Sequence, residues 1–187
     1  MLNGFLKFVA GKWTNTTVSS SNPLPTTTAI GSSSASDCQA GRLHAVRATK
    51  SAVAAEFARL QIHNAGDVPL HVGTIQVWGG TAGTHVYSAY KVDEHAAGSP
   101  VSGAATNCLL GTGADAGIEV YSRSSATAIT TANLLGQVSS ALITPSGSAL
   151  LQSGIQITID AGETLEVAIG TANVAFTMNV ALTALRP

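Results

Sequence analysis

From about Leu60 to Leu182 the hydrophobic pattern is mostly of period two, the period of a strand that lays one face on a core. The last third is the most regular. Ile155, Ile157 and Ile159 alternate with Gln156 and Thr158, the turn Asp160-Ala161-Gly162-Glu163 follows, and Leu165, Val167 and Ile169 alternate with Glu166 and Ala168. This predicts a strand-turn-strand unit of hairpin type. Gly170 to Asn173 then turns the chain into Val174, Phe176, Met178, Val180 and Leu182, with Ala175, Thr177, Asn179, Ala181 and Thr183 on the other face, which predicts one long strand.

Upstream, Ser51 to Arg59 (SAVAAEFAR) contains helix-favouring Ala, Glu and Arg, yet a strand is the preferred reading of it. Its continuation, in which Ala58, Leu60 and Ile62 alternate with Arg59, Gln61 and His63 and run into the turn Asn64-Ala65-Gly66-Asp67, favours a strand. Val68 to Val72 leads through Gly73 to Ile75, Val77 and Trp78, where the interior glycine predicts a bulge and Pro69 fits only an edge or a strand start. His85 to Val92 is a further strand, closed by a loop from Asp93 to Pro100, and Ile118 to Arg123 alternates again after the Gly/Ala-rich Gly111 to Gly117. Ala126 to Gln137 reads equally as a strand or as a short helix capping one end. Short strands at intervals of about eight to twelve residues with glycine-rich turns predict an all-β domain over residues 41–187, a sandwich or barrel of antiparallel sheets, with the sandwich taken forward. Residues 1–40 form a separate N-terminal segment. Within it Thr14 to Ser36, almost all Ser, Thr, Pro and small residues, is expected to be an arm, either a flexible tail or a strap across a neighbouring subunit.

Charge sharpens this picture. Charged residues are only 10% of the 187 and hydrophobic ones 45%, with nine Lys+Arg against ten Asp+Glu. No broad positive field is available to hold phosphates or anionic lipid, so nucleic acid and membrane are not expected partners. A near-neutral surface also does little to keep copies apart. The alternate faces of the last strands are small and neutral, as a face packed on another subunit would be, although a neutral face in solvent has the same composition. A chain of this length buries enough to fold without a metal or cofactor.

Candidate chemistry is sparse. His44, His63, His71, His85 and His95 are scattered, with no HExxH. His63 and His71 flank a turn and invite the test of whether they meet across a hairpin. Asp93-Glu94-His95 is the one acid-imidazole cluster and reads as solvated charge in a loop. There is no G-x-S-x-G, and Gly111 to Gly117 lacks the flanking strand and helix of a dinucleotide loop. No catalytic, cofactor or metal residue is assigned, and the chain is not expected to be an enzyme. Trp13, Trp78, Tyr87, Tyr90 and Tyr121 are residues that stack or anchor. The interface set taken forward is Trp13, Trp78, Tyr87, Tyr90, Phe176 and Met178, with Trp78, before Gly79-Gly80-Thr81-Ala82-Gly83, at its head. Cys38 and Cys108 have no CxxC spacing, so the sequence does not force a disulfide. The opening MLNGFLKFVAGKW lacks the basic and long apolar regions of a secretory signal.

The stretches GADAGIEVYSRSSATAITTANLLGQ, LLQSGIQITIDAGETLEVAIG and VAFTMNVALTALRP give the region from about Leu60 to Pro187 a pattern that resembles the small jelly-roll structural proteins of tailed bacteriophages, found as capsid decoration proteins or on tails and fibres. Tumour-necrosis-factor-like and C1q-like jelly rolls share the pattern. The resemblance implies a homotrimer or other symmetric oligomer, bound to capsid or tail protein in the virion and made in the bacterial cytoplasm, where both cysteines would be plain thiols. A decoration protein would act as cement, binding the assembled shell and not loose subunits. Its counterpart is a tail, fibre or baseplate subunit binding a receptor or carbohydrate through Trp78 to Gly83 and Asp93 to Pro100.

Overall fold

Alternation specifies a strand only where something apolar covers the inward side chains. In the computed structural model of the chain, two antiparallel sheets cover each other. The structure describes residues 4–9, 12–17, 37–38, 40–79, 83–92, 98–102, 104–109, 117–127, 134–142, 149–151 and 157–185, and for 4–9, 12–17, 83–84, 134, 136–142 and 149 the backbone alone.

The chain divides into two compact units, Met1–Ser32 and Ser33–Pro187. In the first, β1 (Gly4–Val9) and β2 (Lys12–Thr17) pair antiparallel, from Gly4 opposite Thr17 to Val9 opposite Lys12. Thr14–Thr17, which composition alone assigns to the arm, is therefore strand, because the segment GFLKFV supplies a partner for every position. The rest of the expected arm, 18–36, lies outside the described residues.

The second unit is wound so that the outermost strands in sequence pair first. β3 (Leu43–Lys50) pairs with β14 (Phe176–Ala184), β4 (Phe57–Asn64) with β13 (Thr164–Ile169), β5 (Leu70–Gly79) with β12 (Ile157–Ile159) and β11 (Ala149–Leu151), and β6 (Gly83–Val92) with β10 (Leu134–Leu142). First with last, second with penultimate and so inward is the jelly-roll order. Between β6 and β10 the chain adds edge strands to both sheets: β8 (Ala105–Asn107) on β3, and β9 (Ile118–Ser125) on β4 with β7 (Ser99–Pro100) beyond it. The first sheet runs β10-β6-β13-β4-β9-β7 and the second β11-β5-β14-β3-β8, with β12 also on β5.

Two readings change at this point. β12 and β13 are not a hairpin: β12 lies on β5 in the second sheet, β13 between β4 and β6 in the first, and Asp160 to Glu163 carries the chain across the sandwich. Period two says which side of a strand is apolar and is silent on which sheet it joins. For the same reason His63 and His71 do not meet, since β4 and β5 also lie in different sheets. The ambiguous Ala126 to Gln137 ends as strand, with Leu134 starting β10, while 128–133 lie outside the described residues. Ser51 to Glu56, expected to be strand, is instead turn and coil, and the strand begins only at Phe57, where the partner β9 begins to pair with it.

The core follows the inward alternation. Phe176, Met178, Val180 and Leu182 of β14 are buried against Leu60, Ile62, Leu165, Val167 and Ile169 of the opposite sheet, all at 1% exposure or less. Each such side chain contributes about 1.5–3 kcal/mol on leaving water. The predicted bulge is present: Val180 pairs with Ile75 but Leu182 with Val72, so β5 spends one extra residue, around Gly73 and Thr74, opposite Ala181. A Cβ on Gly73 would lie 3.4 Å from the Ala181 carbonyl oxygen, so the small residue suits the approach. Pro69 stands just before β5, where its carbonyl accepts the Leu185 N–H at 2.8 Å and it is not asked to donate.

Asn64 closes one end of the sandwich. Its amide nitrogen donates to the carbonyls of Val68 and Ile159, both at 3.0 Å, and its Oδ1 accepts the Gly66 N–H at 3.1 Å. Its own N–H donates to Glu163 O at 3.0 Å and its carbonyl accepts from Gly162 N–H at 2.8 Å. One buried residue thus ties the β4–β5 turn to β12 through its side chain and to the crossing turn through its backbone. Gly117 backs this corner: its φ is +102° and a Cβ there would stand 2.5 Å from the Gly66 backbone. Asn64→Ala removes partners from two carbonyls at once and should lower the unfolding free energy by about 2–4 kcal/mol in urea titration, with the m-value unchanged.

Candidate functional site

The two outer faces of the sandwich differ in kind. On the first sheet, register places Gln61 opposite both Glu166 and Tyr121, and Arg59 opposite Arg123. The Glu166 carboxylate, with its side chain 4% exposed, collects donors from two neighbouring strands. Arg59 Nη1 donates to its Oε1 at 3.0 Å, while Gln61 Nε2 and Arg123 Nε donate to Oε2, each at 2.8 Å, with Arg123 Nη2 at 2.6 Å. Arg59 also donates to the Thr127 carbonyl at 2.9 Å, drawing the chain after β9 onto this face. Gln61 Oε1 and Arg59 Nε are buried without a partner. The neighbours Thr164, Ala168, Ser88 and Tyr90 are buried too. Around Glu166 this outer face is a second interior, locked by charge, and Glu166 is fully engaged within it.

The outer face of the second sheet is open and nearly uncharged. Across the strands it presents Thr49, Thr177 and Trp78; then Arg47, Asn179, Gln76 and Leu150; then Thr106, Ala45, Ala181 and the Gly73–Thr74 bulge; then Thr183, His71 and Thr158. Among the described residues of this face only Arg47 carries a full charge, and its guanidinium sits 5.8 Å over the Trp78 ring, reaching across β14. Thr49 and Thr177 share a hydroxyl hydrogen bond of 2.8 Å. Leu150, at the rim, is 51% exposed. Small residues keep the centre shallow, and Trp78, half-buried at one end, is the one large aromatic among the described residues of this face.

The interface set separates accordingly. Trp78 stands on the open face. Tyr90 lies on the other outer face, already buried beside Glu166 in the ladder. Tyr87, Phe176 and Met178 are in the core, each at 1% exposure or less, so their bulk is spent inside one subunit. Period two alone could not say this of Tyr87, whose ring tilts against Phe176 at 6.0 Å between centroids and meets His85 edge-on at 6.4 Å. Burial pushes the Tyr87 phenol up to about 12. Trp13 pairs with Phe8 in β2, and its side chain lies outside the described residues. Tyr121 donates to Glu119 at 2.6 Å, and that bond, foremost, raises its pKa.

Among the described residues no three His, Cys, Asp or Glu are grouped to hold a metal, and no helix is long and apolar enough to cross a membrane. Gly111 to Ala116, the Asp93-Glu94-His95 cluster and residues 80–82 lie outside the described residues. A pocket of about 140 Å³ lined by Leu135, Ile157, Ile159 and Leu165 opens beside the Lys91–Glu163 ion pair, whose hydrogen bond holds the Glu163 carboxyl below its usual range. It is smaller than the few hundred Å³ typical of small-molecule sites.

Two outcomes test this geometry. Glu166→Gln leaves two guanidinium groups facing each other and should cost about 3–5 kcal/mol, read by chemical unfolding. The Tyr87 hydroxyl is buried without a partner and stands 2.8 Å from where a Cβ on Gly79 would lie. Tyr87→Phe should therefore stabilise by up to about 1 kcal/mol, Gly79→Ala should destabilise by about 1–3 kcal/mol, and the double variant should recover most of that loss in a double-mutant cycle.

Compared with family models, with curated proteins and with solved structures, the chain finds no match in any of the three.

Proposed function

We propose that this protein is a structural subunit that works by covering another protein's surface, most specifically a decoration or cement component of a tailed-bacteriophage capsid. The observation that carries the reading is the asymmetry of the two outer faces. One is charged and, around Glu166, buried within the subunit, whereas the other is more open, small-residued and almost free of charge, with Trp78 at one end of it. Solvent makes no demand for such a face, and an open sheet of low charge is an association hazard unless a partner covers it. Small residues let a partner's backbone come close, and one ring among them supplies the kind of anchor on which interface energy concentrates. The resemblance of the strand-and-turn pattern to phage accessory proteins supplies the particle. In this reading the open face packs on a second copy of the chain, and the oligomer binds the assembled shell, shifting the equilibrium toward the intact particle.

Sedimentation velocity and co-pelleting with empty capsids of the phage test this together. The wild-type chain should sediment as an oligomer and pellet at a stoichiometry near that of the shell protein. Trp78→Ala and Ala181→Arg, both on the open face, should weaken self-association at least tenfold while leaving the strand signature in circular dichroism intact. A wild-type monomer indifferent to capsids sinks the proposal, as does binding of a glycan at a few copies per particle, which belongs to a tail receptor binder.

A further inference from the structure

The turn that enters β3 and the turn that leaves β8 lie against each other. The first is closed on itself: Gly41 N–H donates to Cys38 O at 2.9 Å, Arg42 N–H to Asp37 O at 2.8 Å, and the Arg42 guanidinium to the Asp37 carboxylate at 2.6 Å. The second is braced by Asn107, whose Oδ1 accepts the Leu109 N–H at 2.8 Å. Two bonds join them. Asn107 Nδ2 donates to Gly41 O at 2.9 Å and Cys108 N–H donates to Leu43 O, also at 2.9 Å. A Cβ on Gly41 would lie 3.7 Å from Leu109 Cδ2, ordinary packing distance. This clasp brings the Cys38 and Cys108 thiols within hydrogen-bonding reach of each other, both half-buried and not joined. Burial first, then the neighbouring Cys38, pushes the Cys108 thiol above its ordinary value.

We propose that Cys38 and Cys108 are a modification site, a thiol pair that closes into an intramolecular disulfide on meeting a small-molecule disulfide such as oxidised glutathione. The thiolate of one cysteine attacks a sulfur of the reagent, whose S–S bond breaks and releases one glutathione thiolate, leaving a mixed disulfide. The second cysteine, deprotonated, attacks the protein sulfur of that mixed disulfide, and the other glutathione leaves. Two protein thiols are oxidised, one reagent disulfide is reduced to two thiols, and the protons pass to the departing thiolates. Because Cys108 holds its proton more tightly than a free thiol, closure is slow at neutral pH and accelerates as pH rises.

The bond has structural leverage. β8 is a three-residue edge strand that, among the described residues, ladders on β3 alone, from His44 opposite Asn107 to Val46 opposite Ala105. Linking Cys38 to Cys108 fastens that edge to the start of β3 and closes a loop of about 70 residues, long enough to restrict the unfolded chain strongly.

The full chain is incubated with oxidised or reduced glutathione from neutral to mildly alkaline pH, alkylated, and read by intact mass, peptide mapping and thermal unfolding. The expected result is a Cys38–Cys108 link, the mass of two hydrogen atoms lost, a rate that climbs with pH, and a melting temperature raised by roughly 5–10 °C that a reductant reverses. Cys38→Ser and Cys108→Ser, first shown by circular dichroism to fold under reducing conditions, should each stop at a stable glutathione adduct on the remaining cysteine. Wild-type protein that keeps both thiols, accumulates adducts on both cysteines, or links two chains overturns the proposal.

Discussion

The pairing of β14 with β3 on one side and β5 on the other sets what the second sheet buries and what it exposes. Phe176, Met178, Val180 and Leu182 must face the first sheet, because turning that apolar series to solvent would forfeit several kcal/mol of burial. With a side-chain period of two, that demand fixes every other residue: Thr177, Asn179, Ala181 and Thr183 have to point outward, and the same holds for Ala45, Arg47 and Thr49 on β3. The flat, neutral face is thus tied rigidly to the core behind it. The bulge at Gly73–Thr74 absorbs the one place where β5 and β14 differ in length, and so keeps Trp78 in register with Thr177 and under Arg47.

The first sheet resolves its outer face in the opposite way. Burying a carboxylate and two guanidinium groups is expensive, and their mutual attraction offsets it only when lone pairs and protons are nearly all engaged. At Glu166 the engagement comes from β4 and β9 together, through Arg59, Gln61 and Arg123. Such a cluster adds little to stability over an apolar equivalent, but it penalises any register other than the one that brings these three donors to the acid. It thereby specifies the alignment of β4, β9 and β13, a sheet whose inner faces are generic aliphatics that would tolerate several alignments.

How much of this could be read from the residues depends on the range of the interaction. Inward alternation, the turn at Asn64, the bulge at Gly73 and the strand-start role of Pro69 are local, and each is written in a few neighbouring positions. The partition of β12 and β13 between sheets is not, since Ile157-Thr158-Ile159 and Leu165-Glu166-Val167 carry the same alternation whichever partner they take. The Glu166 cluster was invisible for the same reason: Arg59, Arg123 and Glu166 are isolated charges in sequence and meet only through two strand pairings. Tyr87 looked like a surface anchor because a phenol has a polar end, yet its parity on β6 puts it beside Phe176. Of the open face, the neutrality of the β14 side was legible in Thr177 to Thr183, while its extension over Trp78, Gln76 and Leu150 needed the strand order.

The winding of the second unit also has a kinetic side. Because β3 pairs with β14 and β4 with β13, its central ladders join residues more than a hundred positions apart, and the mean sequence separation of contacts is correspondingly large. During synthesis β3 to β6 emerge long before β14, which will lie between β3 and β5, and β13, which will lie between β4 and β6, so neither sheet has a centre until β13 and β14 leave the ribosome. Through that interval the nascent sandwich halves carry vacant edges in the middle of their sheets. A chain with few charges to hold its segments apart must then depend on β14 arriving promptly.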